Sequence, residues 1–169
     1  GGRPIELVDA GIRKELDLEV VVALEDMREP GSDPGLSQLV LPDGELHHFV
    51  KSGAIFAEGG LLVDQVQPAS LDLRLGKVAF RLRASFLPGA KNVADRLDDS
   101  LVMHTLDLTR GAVLETGCVY LVPLQERLKL PKDLSAAANP KSSTGRIDVF
   151  VRAVADRAKA FDGTPAGYS

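Results

Sequence analysis

Residues 70–84 have the sequence SLDLRLGKVAFRLRA, in which apolar and polar side chains alternate along two successive runs. Alternation with a period of two is typical of β-strands, because successive side chains of a strand point to opposite faces of the sheet. Gly76 and Lys77 separate the two runs, and a two-residue step that contains glycine suits a hairpin turn. The stretch therefore predicts two strands, 70–75 and 78–84, joined as a hairpin.

Further short strand candidates lie at 104–108, 112–115, 119–123, 127–130 and 147–153. Many short strands with glycine and proline between them favour a mostly β sandwich or barrel-like domain. Little helix is predicted: a short helix that Asp43 caps and Gly53 ends, and a helical turn within 92–101. Residues 18–24 fit either a strand or the continuation of an N-terminal helix.

The charge of the chain is unevenly distributed. Residues 1–38 hold four basic and nine acidic side chains, whereas residues 39–169 hold sixteen basic and fifteen acidic ones. Two Pro-Gly steps within 28–37 interrupt regular structure close to the same point. We therefore expect an unplaced acidic N-terminal segment and linker over 1–38, followed by a β domain over 39–169.

The composition argues against several classes of protein. No apolar run reaches the roughly 18 residues of a membrane span, and no basic-then-apolar segment opens the chain. The single cysteine, Cys118, excludes an internal disulfide and favours a reducing, cytoplasmic setting. The basic residues near the C-terminal end form a confined patch, which suits a small anion better than nucleic acid, since nucleic acid usually requires a broad basic face.

That patch lies in residues 138–150, ANPKSSTGRIDVF, where Lys141, Ser142, Ser143 and Arg146 surround a flexible Thr-Gly step. Cations, hydroxyls and free backbone N–H groups within one short turn are the groups that hold a polyphosphate. The competing interpretation is a solvated charged loop without a ligand.

The better-known motifs of nucleotide chemistry are absent from the sequence. Zinc deaminases need an H-x-E and a P-C-x-x-C motif, which one cysteine cannot supply. There is also no P-loop, dinucleotide fingerprint or G-x-S-x-G elbow. His47 and His48 are neighbours in the predicted helix and point apart, so a solvated pair is favoured and no metal site is predicted.

Two segments together resemble a known family. Residues 67–76, QPASLDLRLG, resemble the first signature of the deoxycytidine triphosphate (dCTP) deaminase family, and residues 139–150 resemble its phosphate-loop and active-site signature. Related dUTP pyrophosphatases share the second signature in a looser form. Residues 161–169 and 39–55 are similar to two further family segments. The resemblance covers residues 39–169 and is nearest to the N-terminal part of the longer, two-halved bacterial form.

The resemblance implies a mainly β fold, the distorted β-barrel or jelly roll of the dUTPase superfamily (β-clip), with one or two short helices. It implies hydrolytic deamination of dCTP to dUTP and ammonia without catalytic zinc, with Mg²⁺ accompanying the triphosphate. The implied partners are dCTP and dUTP, with dTTP as a further candidate ligand, and other copies of the chain in a homo-oligomer, either a trimer or its double-domain equivalent. Nucleic acid and membrane partners are not expected.

The resemblance also implies catalytic roles for three residues. Ser142 is similar to the serine that helps to place the attacking water near cytosine C4. Arg146 is similar to the arginine that lies against the catalytic carboxylate and the reacting base. Ala155 falls where a backbone carbonyl contacts the water or the amino group, whereas Asp156 beside it has no assigned role.

Substrate-binding roles are implied for five further positions. By resemblance, Lys141 and Ser143 bind phosphate, and Gly145 lets the backbone approach the ligand. Lys141 stands where the family often has arginine, so it would act as a point charge rather than a bidentate fork. Asp72 and Arg74 alternate with leucines and should face one way. They either contact the nucleotide or a subunit interface, or form a cross-strand ion pair.

A general base and acid for the deamination is the remaining requirement. In the family one glutamate does both, and the resemblance implies that its position lies beyond Ser169. Glu115 and Glu126 do not sit in the matching motif, so we expect the isolated chain to be inactive. The alternatives to a deaminase are a dUTP pyrophosphatase-like enzyme, a non-catalytic module for nucleotide binding or oligomerisation, and a non-functional fragment.

Overall fold

The computed structural model describes residues 18–24, 39–40, 43–132, 134–164 and 167–168, the first two ranges as backbone only. Short strands dominate this part of the chain, and the expected all-β class is confirmed. The strands form separate sheets rather than one closed barrel. The elements are β1 (Leu18–Leu24), β2 (Leu39–Val40), α1 (Asp43–Lys51), β3 (Ile55–Ala57), β4 (Val66–Gln67), β5 (Ser70–Leu73), β6 (Val78–Leu82), β7 (Val102–Asp107), β8 (Val119–Leu121), β9 (Glu126–Leu128), β10 (Leu134–Pro140) and α2 (Ser142–Gly145).

The first sheet is antiparallel and has the order β10-β1-β5-β4, with β2 also paired to β1. Residues 18–24 therefore form a strand, not the continuation of a helix, and that strand lies between β10 and β5. The linker predicted within 28–37 and the helical alternative upstream of residue 18 lie outside the described residues.

The predicted hairpin of residues 70–84 is wrong. The two runs do form strands, β5 and β6, but β5 pairs with β1 and β4, whereas β6 pairs with β7 and β8 in another sheet. Because both edges of β5 are already occupied, no edge remains for β6. The chain instead crosses between sheets at Gly76, whose N–H donates to the carbonyl oxygen of Pro123 at 2.7 Å.

Strand candidates at 104–108, 119–123 and 127–130 are confirmed as β7, β8 and β9, with shifted ends. Those at 112–115 and 147–153 are wrong, since both stretches lack strand pairing. Near 147 the chain folds back on α2: the N–H groups of Ile147 and Val149 both donate to the carbonyl of Thr144. Asp148 between them has a left-handed φ of 57°, which ends any extended run.

The core lies where α1 packs on the first sheet. Helix α1 begins at Asp43, whose Oδ1 accepts the N–H of Gly44, and Gly53 follows it with a left-handed φ of 77°, as the sequence predicted. Leu46 of this helix is fully buried. It belongs to a core cluster with Ile55, Leu71, Leu73, Leu130, Leu134, Ala136 and Ala138. None of the described helices is long and apolar enough to cross a membrane.

The crossing at Gly76 yields a stability prediction. A Cβ atom at this position would lie 2.6 Å from the carbonyl oxygen of Pro123, the same oxygen that accepts the Gly76 N–H. We expect Gly76→Ala to lower the free energy of unfolding in urea by about 1–3 kcal/mol, because relieving the overlap breaks that hydrogen bond. Gly44→Ala is the matched control: its Cβ would meet nothing within 4 Å. Equal stability of Gly76→Ala and the wild type would contradict the close approach.

Candidate functional site

An open groove of about 600 Å³ lies at one end of the first sheet. Its lining comes from two segments, the β4–β5 turn with the first part of β5 (67–72) and the end of β10 with the start of α2 (140–142). These are parts of the two stretches whose sequences were singled out as functional. The fold thus brings together two segments that are distant in the sequence.

The register of the first sheet explains why the two segments meet. Glu19 in β1 pairs with Asn139 of β10 on one side and with Asp72 of β5 on the other. Asp72 and the end of β10 are therefore level across one intervening strand, a separation of about 10 Å between backbones. A lysine side chain is long enough to cover most of that distance.

Lys141 makes this connection. Its Nζ lies 2.6 Å from Oδ2 of Asp72, an ion pair in which the Asp72 side chain is 15% exposed and the Lys141 side chain 35% exposed. Asp72 thus forms an ion pair across the sheet, one of its two predicted interpretations, and it also lines the groove. The pair places a positive and a negative group side by side in the wall of the groove.

The hydroxyls predicted to bind substrate follow directly after Lys141. The Lys141 backbone is extended, and its carbonyl accepts the N–H of Thr144 at 3.0 Å, so the chain turns sharply into α2. Thr144 is buried and anchors this turn, whereas Ser142 is exposed and Ser143 is half-buried. No described protein group bonds to either serine hydroxyl, so both are available to a ligand.

Arg146 lies at the end of the same turn and is exposed. Its backbone N–H donates to the carbonyl of Ser142 at 3.1 Å. Among the residues that the structure describes, no carboxylate pairs with its guanidinium. A Cβ at Gly145 would meet nothing within 4 Å, so packing within the protein does not require glycine there. The roles of Gly145 and Arg146 toward a ligand stay predictions.

Arg74 takes a different direction from Asp72. Strand β5 ends at Leu73, and the Arg74 guanidinium reaches Glu126 instead of the groove, with Nε 2.8 Å from Oε1 and Nη2 2.8 Å from the carbonyl oxygen of Gly60. The carboxylate of Glu126 is 1% exposed. Asp72 and Arg74 therefore have different ionic partners, and Arg74, like Asp72, forms an ion pair with a distant segment.

Ala155 also lies apart from the groove lining. Its carbonyl accepts the N–H of Ala158 at 3.2 Å. The neighbouring Asp156 accepts the N–H of Val93 at 2.6 Å, directly before a 3₁₀ turn at Ala94–Arg96 that lies within the predicted helical turn of 92–101. The Asp156 N–H in turn donates to the Tyr168 hydroxyl at 3.2 Å. These contacts lie within the segment or join it to other parts of the protein. The role of the Ala155 carbonyl toward the water or the amino group stays a prediction.

Sequence reasoning missed a buried polar network beneath the groove. Gln65 and Glu126 are 3% and 8% exposed, and Nε2 of Gln65 donates to Oε1 of Glu126 at 2.6 Å. A signal was present: Glu126 falls in phase with Leu124, Leu128 and Leu130, so a carboxylate occupies an inward position of an otherwise apolar strand. Such a carboxylate needs buried partners.

The comparisons with known proteins agree with the two signatures. The family model for the 2′-deoxycytidine 5′-triphosphate deaminase (DCD) N-terminal domain matches residues 37–169. A "dCTP deaminase, dUMP-forming" of Halobacterium salinarum is 32% identical over 119 residues, which is 69% of this chain and 61% of that protein. A "dCTP deaminase" of Halorubrum lacusprofundi is 33% identical over 107 residues, 59% of this chain and 53% of that protein.

A solved structure matches as well. The crystal structure of 2′-deoxycytidine 5′-triphosphate deaminase from Agrobacterium tumefaciens has 56% sequence identity and a TM-score of 0.73. The match covers 76% of this chain but 37% of that one. The chain thus spans less than two thirds of the length of each of these related proteins.

Tyr168 provides a pH prediction. Burial raises the pKa of its phenol, so the folded state keeps the proton at a pH where the unfolded chain loses it. This contribution to stability is complete below the ordinary tyrosine pKa of about 10 and is lost as the pH rises through the higher folded value. Above about pH 10 the free energy of unfolding should therefore fall more steeply for the wild type than for Tyr168→Phe. Parallel curves from urea titrations across this range would contradict the prediction.

Proposed function

Since this chain belongs to the dCTP deaminase family through its N-terminal domain, we propose that it binds dCTP and supplies residues for the hydrolysis of dCTP to dUTP and ammonia. The observation that carries the proposal is the contact between Asp72 and Lys141, 2.6 Å apart at the groove. Each of these residues comes from one of the two signature segments, and the contact makes the segments one site.

The proposed roles divide the site into two ends. At the phosphate end, Lys141 acts as a point charge, Ser143 contributes its hydroxyl and Gly145 leaves space for the ligand. At the cytosine end, Ser142 and the carbonyl of Ala155 orient the attacking water and the amino group. The water adds to C4, and the amino group leaves as ammonia after it has been protonated.

Arg146 is proposed to face the carboxylate that moves these protons. A guanidinium is always charged and forks toward two oxygens, so it can orient a carboxylate and stabilise developing negative charge. Arg146 is exposed and pairs with no acidic side chain among the described residues, which fits a partner from another part of the assembled enzyme. The related Agrobacterium tumefaciens deaminase extends well beyond the part that matches this chain. We expect the partner carboxylate to correspond to a residue of that further part.

We propose that Mg²⁺ enters with the triphosphate, held mainly by phosphate oxygens. Mg²⁺ commonly binds substrate phosphates with one or two protein carboxylates, and no group of three histidine, cysteine, aspartate or glutamate side chains that could hold a metal occurs among the described residues. A homo-oligomer or a double-domain chain would complete the site, and dTTP is a further candidate ligand. The one cysteine, Cys118, forms no disulfide, in keeping with a cytoplasmic location.

The names of the relatives bear on the competing reactions. The relatives reported above are named dCTP deaminases, which does not favour a dUTP pyrophosphatase or a non-catalytic module. One of those names specifies dUMP as the product. The product therefore has to be measured rather than assumed.

The deaminase proposal is tested by comparing this chain with a form that carries a further segment of a related deaminase. We would extend this chain at its C-terminus with the corresponding segment of the Agrobacterium tumefaciens deaminase and incubate both forms with dCTP and Mg²⁺. The extended form should release equal amounts of ammonia and dUTP, whereas the chain alone should bind dCTP in calorimetry without releasing ammonia. Equimolar dUMP and diphosphate in place of dUTP would assign the coupled reaction. Absence of both dCTP binding and ammonia release would refute the proposal.

Arg146 gives a sharper test in the extended form. Arg146→Lys keeps the charge but loses the fork, so kcat should fall by about 10²–10³-fold. Thermal stability should stay unchanged because Arg146 is exposed and pairs with no described carboxylate. Arg83→Lys, another exposed arginine, is the control and should keep full activity. Equal kcat values for the two variants would remove Arg146 from the proposed mechanism.

A further inference from the structure

The buried network beneath the groove links the ends of two sheets. Gln65 precedes β4, Glu126 begins β9, and Arg74 follows β5. Few polar side chains of the described residues are buried as deeply as Gln65 and Glu126. Every buried side-chain nitrogen and oxygen that the structure describes has a hydrogen-bond partner, so the network is fully satisfied.

Gln65 binds the backbone of Asp72 through both its own backbone carbonyl and its side-chain amide. The carbonyl oxygen of Gln65 accepts the Asp72 N–H at 2.9 Å, and Nε2 of Gln65 donates to the Asp72 carbonyl oxygen at 2.7 Å. The first bond continues the β4–β5 pairing by one residue, and the second is a contact that only the side chain provides. Oε1 of Gln65 accepts the N–H of Leu62 at 3.1 Å, which fixes the orientation of the amide.

Glu126 holds the next part of the strand. Its Oε2 accepts the backbone N–H of Arg74 at 2.8 Å, and its Oε1 accepts both Nε of Arg74 at 2.8 Å and Nε2 of Gln65 at 2.6 Å. The carboxylate therefore holds Arg74 by backbone and side chain together. Through Gln65 it also acts on Asp72.

Packing alone does not account for this network. Burying a carboxylate and a guanidinium costs desolvation energy, and apolar side chains of similar volume are often at least as stabilising. What the polar side chains add is direction, because Gln65 holds the Asp72 carbonyl and Glu126 holds the Arg74 N–H. The side chain that leaves this fixed backbone toward the groove is that of Asp72, which binds Lys141.

We propose that Gln65 and Glu126 are positioning residues for the groove: they fix the Asp72 backbone, and Asp72 in turn fixes the ammonium of Lys141. Neither residue is itself part of the groove lining. The consequence for dCTP rests on the proposed function, in which Lys141 binds phosphate. The effect on the location of Lys141 does not depend on it.

The first test measures Lys141 without any nucleotide. In Gln65→Met the side chain keeps its length but loses its hydrogen bonds to Asp72 and Glu126. Acetylation of Lys141 by a small amine-reactive reagent, followed by peptide mass spectrometry, should become about fivefold to thirtyfold faster, the factor expected if losing these bonds releases the hydrogen bond between Asp72 and Lys141. Asp72→Asn sets the upper limit, and exposed Lys77 is the internal reference within each sample.

Leu82→Ala controls for general destabilisation, because Leu82 is buried in β6 and belongs to another sheet. It should lower the melting temperature and leave the acetylation of Lys141 unchanged. If Gln65→Met does not fold, Glu126→Gln is measured in the same way, since an amide has one acceptor oxygen where the carboxylate has two and cannot keep all three of the hydrogen bonds that Glu126 accepts. A wild-type acetylation rate in the folded variant, or an equal rise in Leu82→Ala, would overturn the positioning role.

The second test measures the part of nucleotide affinity that the phosphates contribute, as the ratio of the dissociation constants of deoxycytidine and dCTP. Gln65→Met should reduce this ratio about tenfold, and in a Lys141→Ala background it should have no further effect, since residues that act through one contact are not additive. An unchanged ratio, or full additivity, would contradict the inference. If the wild type binds no dCTP, the proposed function fails, while the acetylation rates still decide the positioning role.

Discussion

The buried carboxylate of Glu126 joins two of the three sheets that the described residues form. Glu126 is the first residue of β9. Its carboxylate accepts hydrogen bonds from the backbone N–H and the Nε of Arg74, the residue that follows β5 of the first sheet. Removing one member of a buried, hydrogen-bonded ion pair commonly costs about 3–5 kcal/mol, because the other charge is left uncompensated. The crossing at Gly76 lies two residues beyond Arg74, so the path of the chain from the first sheet into the next also depends on this carboxylate.

The groove follows from that arrangement and from the register of the first sheet. One strand, β1, separates the two signature segments, and its pairing brings Asp72 level with the end of β10. The turn into α2 then leaves Ser142 and Arg146 exposed, without protein partners for their side-chain polar groups among the described residues. A family whose substrate carries a triphosphate at one end and a reactive base at the other needs both an anchored cation and unengaged groups nearby.

The sequence was most informative where a residue pattern is typical of a single kind of local structure. Alternation gave β5 and β6, and the Asp43 and Gly53 signals gave α1. The sequence patterns failed where contacts with distant segments or the local backbone path determine the structure. The pairing of β5 with β1 and β4 excluded the expected hairpin, and the fold-back at Asp148 excluded a strand. Strand β10 was missed because alanines occupy both its buried and its exposed positions, which hides the alternation. The two segments of the site were identified by resemblance, but Gln65 and Glu126 became visible only through their contacts.

The place of β1 between β10 and β5 also has a consequence for how the chain folds. Its residues pair with Leu134–Pro140, near the opposite end of the described chain. Pairing between such distant segments requires the closure of a long loop, whose entropy cost comes before the favourable contacts form. Topologies of this kind therefore fold slowly. On the ribosome, most of the described chain has to be synthesised before β1 can gain this neighbour. Until then one edge of β1 stays unpaired, and this edge is where a partly made chain is most exposed to association with other chains.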